Sequence, residues 1–208
     1  MKGLSLAAAV LALACLPLGA HAAPDAEAQY EALLAAAKSG TAPVDWMALR
    51  YADADRPSFT PDVANPDRKA MFQAANAQDW QGALDLANRV IDKDYTDALA
   101  HLLASSADRQ LGHADDAAHE AATGNGLLAS IRTGDGQSFD TAFTVIAVRE
   151  EYDLLLTMHL KLTRQGLNLH DGHHYDVMET MNAAGTAVTY YFQIDREWAA
   201  ENRALMPH

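Results

Sequence analysis

The sequence predicts an α+β protein in which N-terminal helical hairpins of the tetratricopeptide kind pack on a C-terminal antiparallel β-meander with one helix. Three observations predict it. Two amphipathic segments in the middle of the chain superpose at an offset of 34 residues, Trp80 on Ala114 and Ala83 on Ala117. The last third alternates apolar and polar residues in several short runs. Between these parts lies "TGNGLLASIRTGDGQSFD", a connection punctuated by four glycines.

The chain opens with Met1-Lys2, continues through an apolar run from Leu4 to Leu18 and reaches Ala20-His21-Ala22. A charged start, a short greasy middle and a small-x-small end make a secretory signal, expected to span 1–22 with cleavage behind Ala22 or Ala23. The run is too short to span a bilayer comfortably and no second one follows, so the mature chain is expected to have no transmembrane segment and to be periplasmic or secreted. Cys15, the one cysteine, sits inside this signal, behind Ala12-Leu13-Ala14, which lacks the leucine-small-small order of a lipid-attachment site. Cleavage therefore leaves no thiol and no disulfide. The remaining chain, about 186 residues, is long enough to bury a core without a covalent staple. Its net charge of about −14 repels phosphate backbones and anionic membranes, and no window gathers a basic stripe with interleaved aromatics, so nucleic acid is not an expected partner.

From Asp25 to Lys38, Ala28, Leu33, Leu34 and Ala37 fall at helical spacing, and Ser39-Gly40 followed by Pro43 stops the run. A short second helix is expected from Val44 to Ala52. Pro57, Pro61 and Pro66 then mark an irregular connection. In the first of the two superposed segments Ala83, Leu86, Ala87, Val90 and Ile91 make one helical face, and Leu111-Gly112 marks the turn before the last helix of the second. Fewer than two full repeats are present, and an array needs about three to stand alone. The C-terminal part must therefore cover the open side of the last helix.

That part begins with "TAFTVIAV", apolar on both faces, the pattern of a strand buried between layers. In "REEYDLLLTMH" Tyr152, Leu155, Leu156 and His159 recur at helical spacing. The following "LKLTRQGLNL" alternates, but its apolar parity changes between Leu160/Leu162 and Leu167/Leu169, which predicts a β-bulge at Gly166 that keeps both pairs on one face. "HYDVMETM" and "AVTYYFQID" pair around Ala184-Gly185, with Val188, Tyr190, Phe192 and Ile194 on one side. The expected organisation is a signal at 1–22, a helical part at 23–126 and an α+β part at 127–208, the last two forming one unit.

The stretch "GLLASIRTGDGQSFDTAFTVIAVREEYDLL", with "QGLNL", "YDVME" and "YYFQI" after it, resembles the bacterial family of domain of unknown function 4919. Its pattern is a "GLL.AI..SGDG.S..TAF.VI...EYD.L" run followed by a "Q.L" strand and a "YF" strand. "LRYADADRPSFTPD" and the repeat-like helices fit the same plan. The resemblance implies secreted or envelope-associated proteins with helical repeats before an α+β tail. It implies no activity, cofactor or catalytic residue, and the histidines of "HDGHH" lie outside its pattern.

Several constellations are candidates for chemistry. Asp171-Gly172 suits a two-residue type I′ hairpin turn, which sets His170 opposite His173, with Cβ atoms about 5 Å apart. Those two, with His174 or Asp176, are candidate zinc ligands, but residues of alternate parity point to opposite faces of a strand, so the expected reading is a polar hairpin tip without metal. Gly134, Asp135 and Gly136 form a connection suited to a ligand, although it matches neither a calcium loop nor a phosphate loop. Glu150 and Glu151 offer paired carboxylates, but the expected reading is the first turn of a helix, where negative charge is favoured. His113, Asp116, His119 and Glu120 are expected to form a solvated helical face. No nucleophile elbow and no paired-histidine zinc motif is present.

The expectation is thus an exported binding or scaffolding module, without cofactor or catalytic residues, that holds a protein or peptide in a groove between Trp80 and His119. The alternative is a hydrolase or metal-dependent enzyme near the "TGDG" turn or the "HDGHH" hairpin, with Asp135, Glu150 or Glu151 converging on a histidine. The first reading rests on the sheet covering the helices, with no prearranged reactive centre where the layers meet.

Overall fold

A computed structural model of the chain describes residues 25–40, 43–61 and 65–205. The signal-like segment and Cys15 lie outside the described residues. Two helices come first, α1 (Ala26–Ser39) and α2 (Trp46–Asp55). Asp25 and Asp45 precede them and accept hydrogen bonds from Glu27 N and Ala48 N, satisfying amides that a helix start leaves unpaired. Gly40, at φ +61°, ends α1 in the left-handed region.

The repeat follows. α3 (Pro66–Asn76) and α4 (Trp80–Lys93) make one hairpin, α5 (Ala98–Leu111) and α6 (Ala114–Ile131) the next. The 34-residue offset is realised in register, since Trp80 and Ala114 are the first residues of α4 and α6. Ala83, Ala87, Ala100, Ala104 and Ala107 are fully buried between the helices, where small side chains permit close approach.

The C-terminal part contains β1 (Phe143–Thr144), α7 (Val148–Thr157), β2 (Lys161–His170), β3 (His173–Met181), β4 (Ala187–Gln193) and α8 (Asp195–Leu205). The sheet order is β1-β4-β3-β2, antiparallel except for the parallel β1–β4 pair. The meander is as expected, and the tail carries two helices rather than one. The "TAFTVIAV" run is a two-residue edge strand rather than a central one. Val145, Ile146 and Ala147 are fully buried, but as the extended lead into α7, and this burial accounts for the strand-like composition.

Two local expectations need correction. The bulge lies between Leu162 and Arg164, not at Gly166. It still sets Leu162, opposite Thr180, and Leu167, opposite Asp176, on one face, because Thr180 and Asp176 share a face of β3. On α7 the buried side is formed by Glu151, Leu154 and Leu155, whereas Tyr152 and Leu156 are exposed and His159 follows the helix at φ +55°.

One core cluster joins the two parts. Leu127, Leu128 and Ile131 of α6 pack with Phe143, Val145, Leu154, Leu155, Met178, Phe192 and Ile194. The expected division at 126/127 therefore falls inside α6, whose first half belongs to the helical stack and whose second half lies under the sheet. Among the described residues no helix is long and apolar enough to cross a membrane.

Candidate functional site: an arginine–aspartate cleft

α2 carries Arg50 and Asp53 on its buried side, i and i+3, which places both towards the rest of the protein. Arg50 is fully buried. Its Nε and Nη2 donate to the two carboxylate oxygens of Glu150 at 2.8 and 2.5 Å, Nη1 donates to Ser130 Oγ at 3.3 Å and Nη2 to the Thr144 carbonyl at 3.0 Å. Glu150 Oε2 also accepts from Ile146 N at 2.9 Å, closing the first turn of α7. A single guanidinium thus ties α2 to α6, β1 and α7. Glu150 does occupy a first helical turn, but its role is a buried ion pair and not a solvated cap.

Beside this clamp opens a cleft of about 390 Å³ between α2, the 58–61 segment, α3, the α4–α5 turn and α7. Its cations are Arg56, Arg68, Lys93 and Arg149, and its anions Asp53, Asp94 and Asp97. Arg68 Nε donates to Asp97 Oδ2 at 2.6 Å, while its Nη2 reaches both oxygens of Asp153 at 2.7 and 2.6 Å. Arg149 pairs with Asp94 at 2.7 Å and touches Thr96 Oγ1 at 3.3 Å. Arg56 is bonded to Asp53, reaches Glu27 at 3.1 Å and lies over the Tyr30 ring at 4.0 Å. The Nε of Arg149 is buried and has no acceptor.

Burial dominates the protonation of two of these acids. Burial and the neighbouring Asp94 push Asp53 up to about 6 against the pull of Arg56. Burial raises Asp153 to about 6 as well, with Arg68 lowering it and Asp97 opposing Arg68. An ionisable cluster therefore does lie where the helical layer meets α7, contrary to the expectation from sequence. The bridge between α2 and α7 is ionic because the helices meet there through polar side chains, not through the apolar faces that the periodicity marks.

The other candidates are distributed as follows. Asp135 accepts from Gln137 N at 3.0 Å and Thr141 Oγ1 at 2.5 Å, and the Thr141 contact is the main reason its carboxyl sits below the usual range. Gly134 lies against the Thr141 backbone, and Gly136, at φ +73°, against the Phe143 ring, so both are fixed by packing and backbone shape. Glu151 is fully buried on α7. Asp171 and Gly172 take φ of +49° and +84°, as a type I′ turn requires, and His170 does pair with His173.

The hairpin histidines do not gather at one point. His173 and His174 both contact the Asp195 carboxylate, at 2.6 and 3.3 Å, and His174 also stacks on Trp198 at 4.5 Å, whereas His170 stacks on Phe139 with ring centroids 4.2 Å apart. The "TGDG" connection and the hairpin nevertheless meet, around a second cavity of about 380 Å³ lined by Thr133, Asp140, His170 and His173 among others. Asp135, Glu150 and Glu151 do not line it. Glu120, expected on a solvated face, instead meets the buried His101 at 2.5 Å. Asp108, His113 and Asp116 bring ligand atoms within 4.8 Å of one another, but at the start of α6, where the helix dipole disfavours a cation.

Trp80 is half-buried, His119 is exposed, and the described residues of α3 to α6 include no exposed large apolar side chain. The apolar groove expected between Trp80 and His119 is therefore not found among the described residues. The principal members of the cleft, Arg56, Arg68, Arg149 and Asp53, and the Asp153 partner of Arg68 were not legible as a site. They come from separated segments and carry no spacing motif, and the only local signal is Arg50 and Asp53 on the face of α2 that also carries Leu49 and Ala52.

Paired helices stacked on a mixed sheet, with a charged cleft at the joint, define an α+β protein with a repeat-like helical part. The chain belongs to the family described as Domain of unknown function (DUF4919), which matches residues 43–203 and so spans both parts. No curated protein and no solved structure matches the chain.

Proposed function

We propose that this is an exported, non-enzymatic binding module of the bacterial envelope that holds a protein or peptide in the arginine–aspartate cleft. The observation that carries this reading is the gathering of Arg56, Arg68, Lys93 and Arg149 around one cleft, donors suited to the carbonyl or carboxylate oxygens of an incoming chain. Four of the fifteen Lys and Arg side chains line this one cleft of a chain with net charge −13. Carboxylate partners hold the guanidiniums in fixed orientations, which lowers the ordering cost of binding. The signal-like N-terminus supports export.

A photo-crosslinking residue at Thr60, on the exposed rim, should capture a partner in living cells, whereas one at Asp115, on the outer side of α6, should not. Capture at Asp115 with none at Thr60 would refute the reading. Protein recovered outside the cytoplasm should begin at Ala23 or Pro24, and an intact Met1 in the cytoplasm would refute export. The second reading, a hydrolase or metal-dependent enzyme, draws on the meeting of the "TGDG" connection with the hairpin around the second cavity. Its histidines are engaged by Phe139 and Asp195, so this reading has weaker support.

A further inference from the structure

β2 is an outer strand of the sheet, ten residues long, and among the described residues no strand pairs with its free edge. Natural edges of this length are usually protected by proline, inward charge or a covering element. From Gln165 to His170 this strand has none of these charges or prolines, and Gly166 has open space around its α-carbon. The register places Leu167 and Leu169 on the same face as Met178, yet they are 56% and 70% exposed. Beside them on α7 stand Tyr152 and Leu156, 44% and 59% exposed, and the Tyr152 hydroxyl donates to Gln165 Oε1 at 2.7 Å. Four of the seven exposed large apolar side chains among the described residues are therefore gathered along one edge.

We infer that this edge is the dimer interface of the protein, with β2 of one copy paired antiparallel to β2 of a second about a two-fold axis at Gly166. Charge complementarity selects the second copy as occupant. Lys161 and Arg164 occupy the first half of β2, and Asp171, with an exposed carboxylate, follows its last residue. An antiparallel two-fold lays each basic end against the acidic hairpin tip of the other copy. The same operation keeps equivalent faces together, so the two Leu167 side chains become diagonal neighbours beside the axis and Leu169 of each copy lies over Thr163 of the other. The unpaired backbone groups of the edge then find partners in an eight-stranded sheet. The net charge of −13 on each copy opposes association at long range, so the dimer should tighten as salt rises.

Sedimentation velocity over a concentration series tests this directly. The wild type should dimerise, and Leu169→Lys should raise the dimer Kd by about tenfold or more, as loss of one buried leucine from an interface implies, with an unchanged circular dichroism spectrum. In a Cys15→Ser background the chain has no other cysteine, so Gly166→Cys should give a disulfide-linked dimer on mild oxidation, while Asp115→Cys should not. A wild type monomeric throughout the series, a dimer unaffected by Leu169→Lys, or equal cross-linking at both cysteine positions would overturn the assignment.

Discussion

Replacing Arg50 by methionine tests the clamp that ties the helical part to the tail. The substitution roughly preserves volume but leaves Glu150 charged, buried and without its cation, an arrangement that costs about 3–5 kcal/mol. That is a large share of the roughly 5–15 kcal/mol that holds a typical domain folded. Adding Glu150→Met removes the stranded charge. It also leaves the Ile146 amide without the carboxylate, while the Thr144 carbonyl stays without the guanidinium that the first substitution removed. Unsatisfied buried groups cost about 1–3 kcal/mol each, so the double variant should recover only part of the loss. Urea unfolding followed by the fluorescence of Trp46, Trp80 and Trp198 measures all three proteins. An Arg50→Met loss below about 1 kcal/mol, or a double variant clearly less stable than the single, would refute the assigned role of this pair.

Two further expectations concern the cleft and the glycine connection. Asp53 and Asp153 titrate near 6 in the folded protein and near 4 when unfolded, so between those values the folded state holds more protons. Their contribution to stability therefore increases as pH falls from about 6 towards 4, by roughly 1–3 kcal/mol each, and Asp53→Asn should flatten that part of the profile in urea titrations at stepped pH. Gly136→Ala should destabilise by about 1–3 kcal/mol in thermal melts, since φ is +73° and the new Cβ would lie 2.5 Å from the Phe143 ring, whereas Gly166→Ala, in open space, should change stability by less than about 1 kcal/mol.

The helices of the N-terminal part were legible because their faces repeat at 3.6 residues, down to the alignment of Trp80 with Ala114. The meander was legible through the Asp171-Gly172 turn and the alternation in β3 and β4. Composition misled at "TAFTVIAV", where burial of Val145, Ile146 and Ala147 beyond the two-residue strand produces the same apolar run. Periodicity also misled on α7, whose buried side includes Glu150 and Asp153 because their partners, Arg50 and Arg68, lie on α2 and α3, far away in the chain. The cleft is illegible for the same reason. The Arg68–Asp153 pair at its wall and the Arg50–Glu150 clamp beside it join residues 85 and 100 apart, and no local pattern marks them.

α6 carries a lasting constraint. Its eighteen residues serve two masters, the alanine-lined hairpin at one end and the aromatic floor of the sheet at the other. Shuffling the tail onto a different repeat array would mean cutting through the middle of this rod. Descent of the family should therefore have proceeded by substitution along an intact chain and not by exchange of modules. A protease that nicks near Asn125 should release both halves from order together.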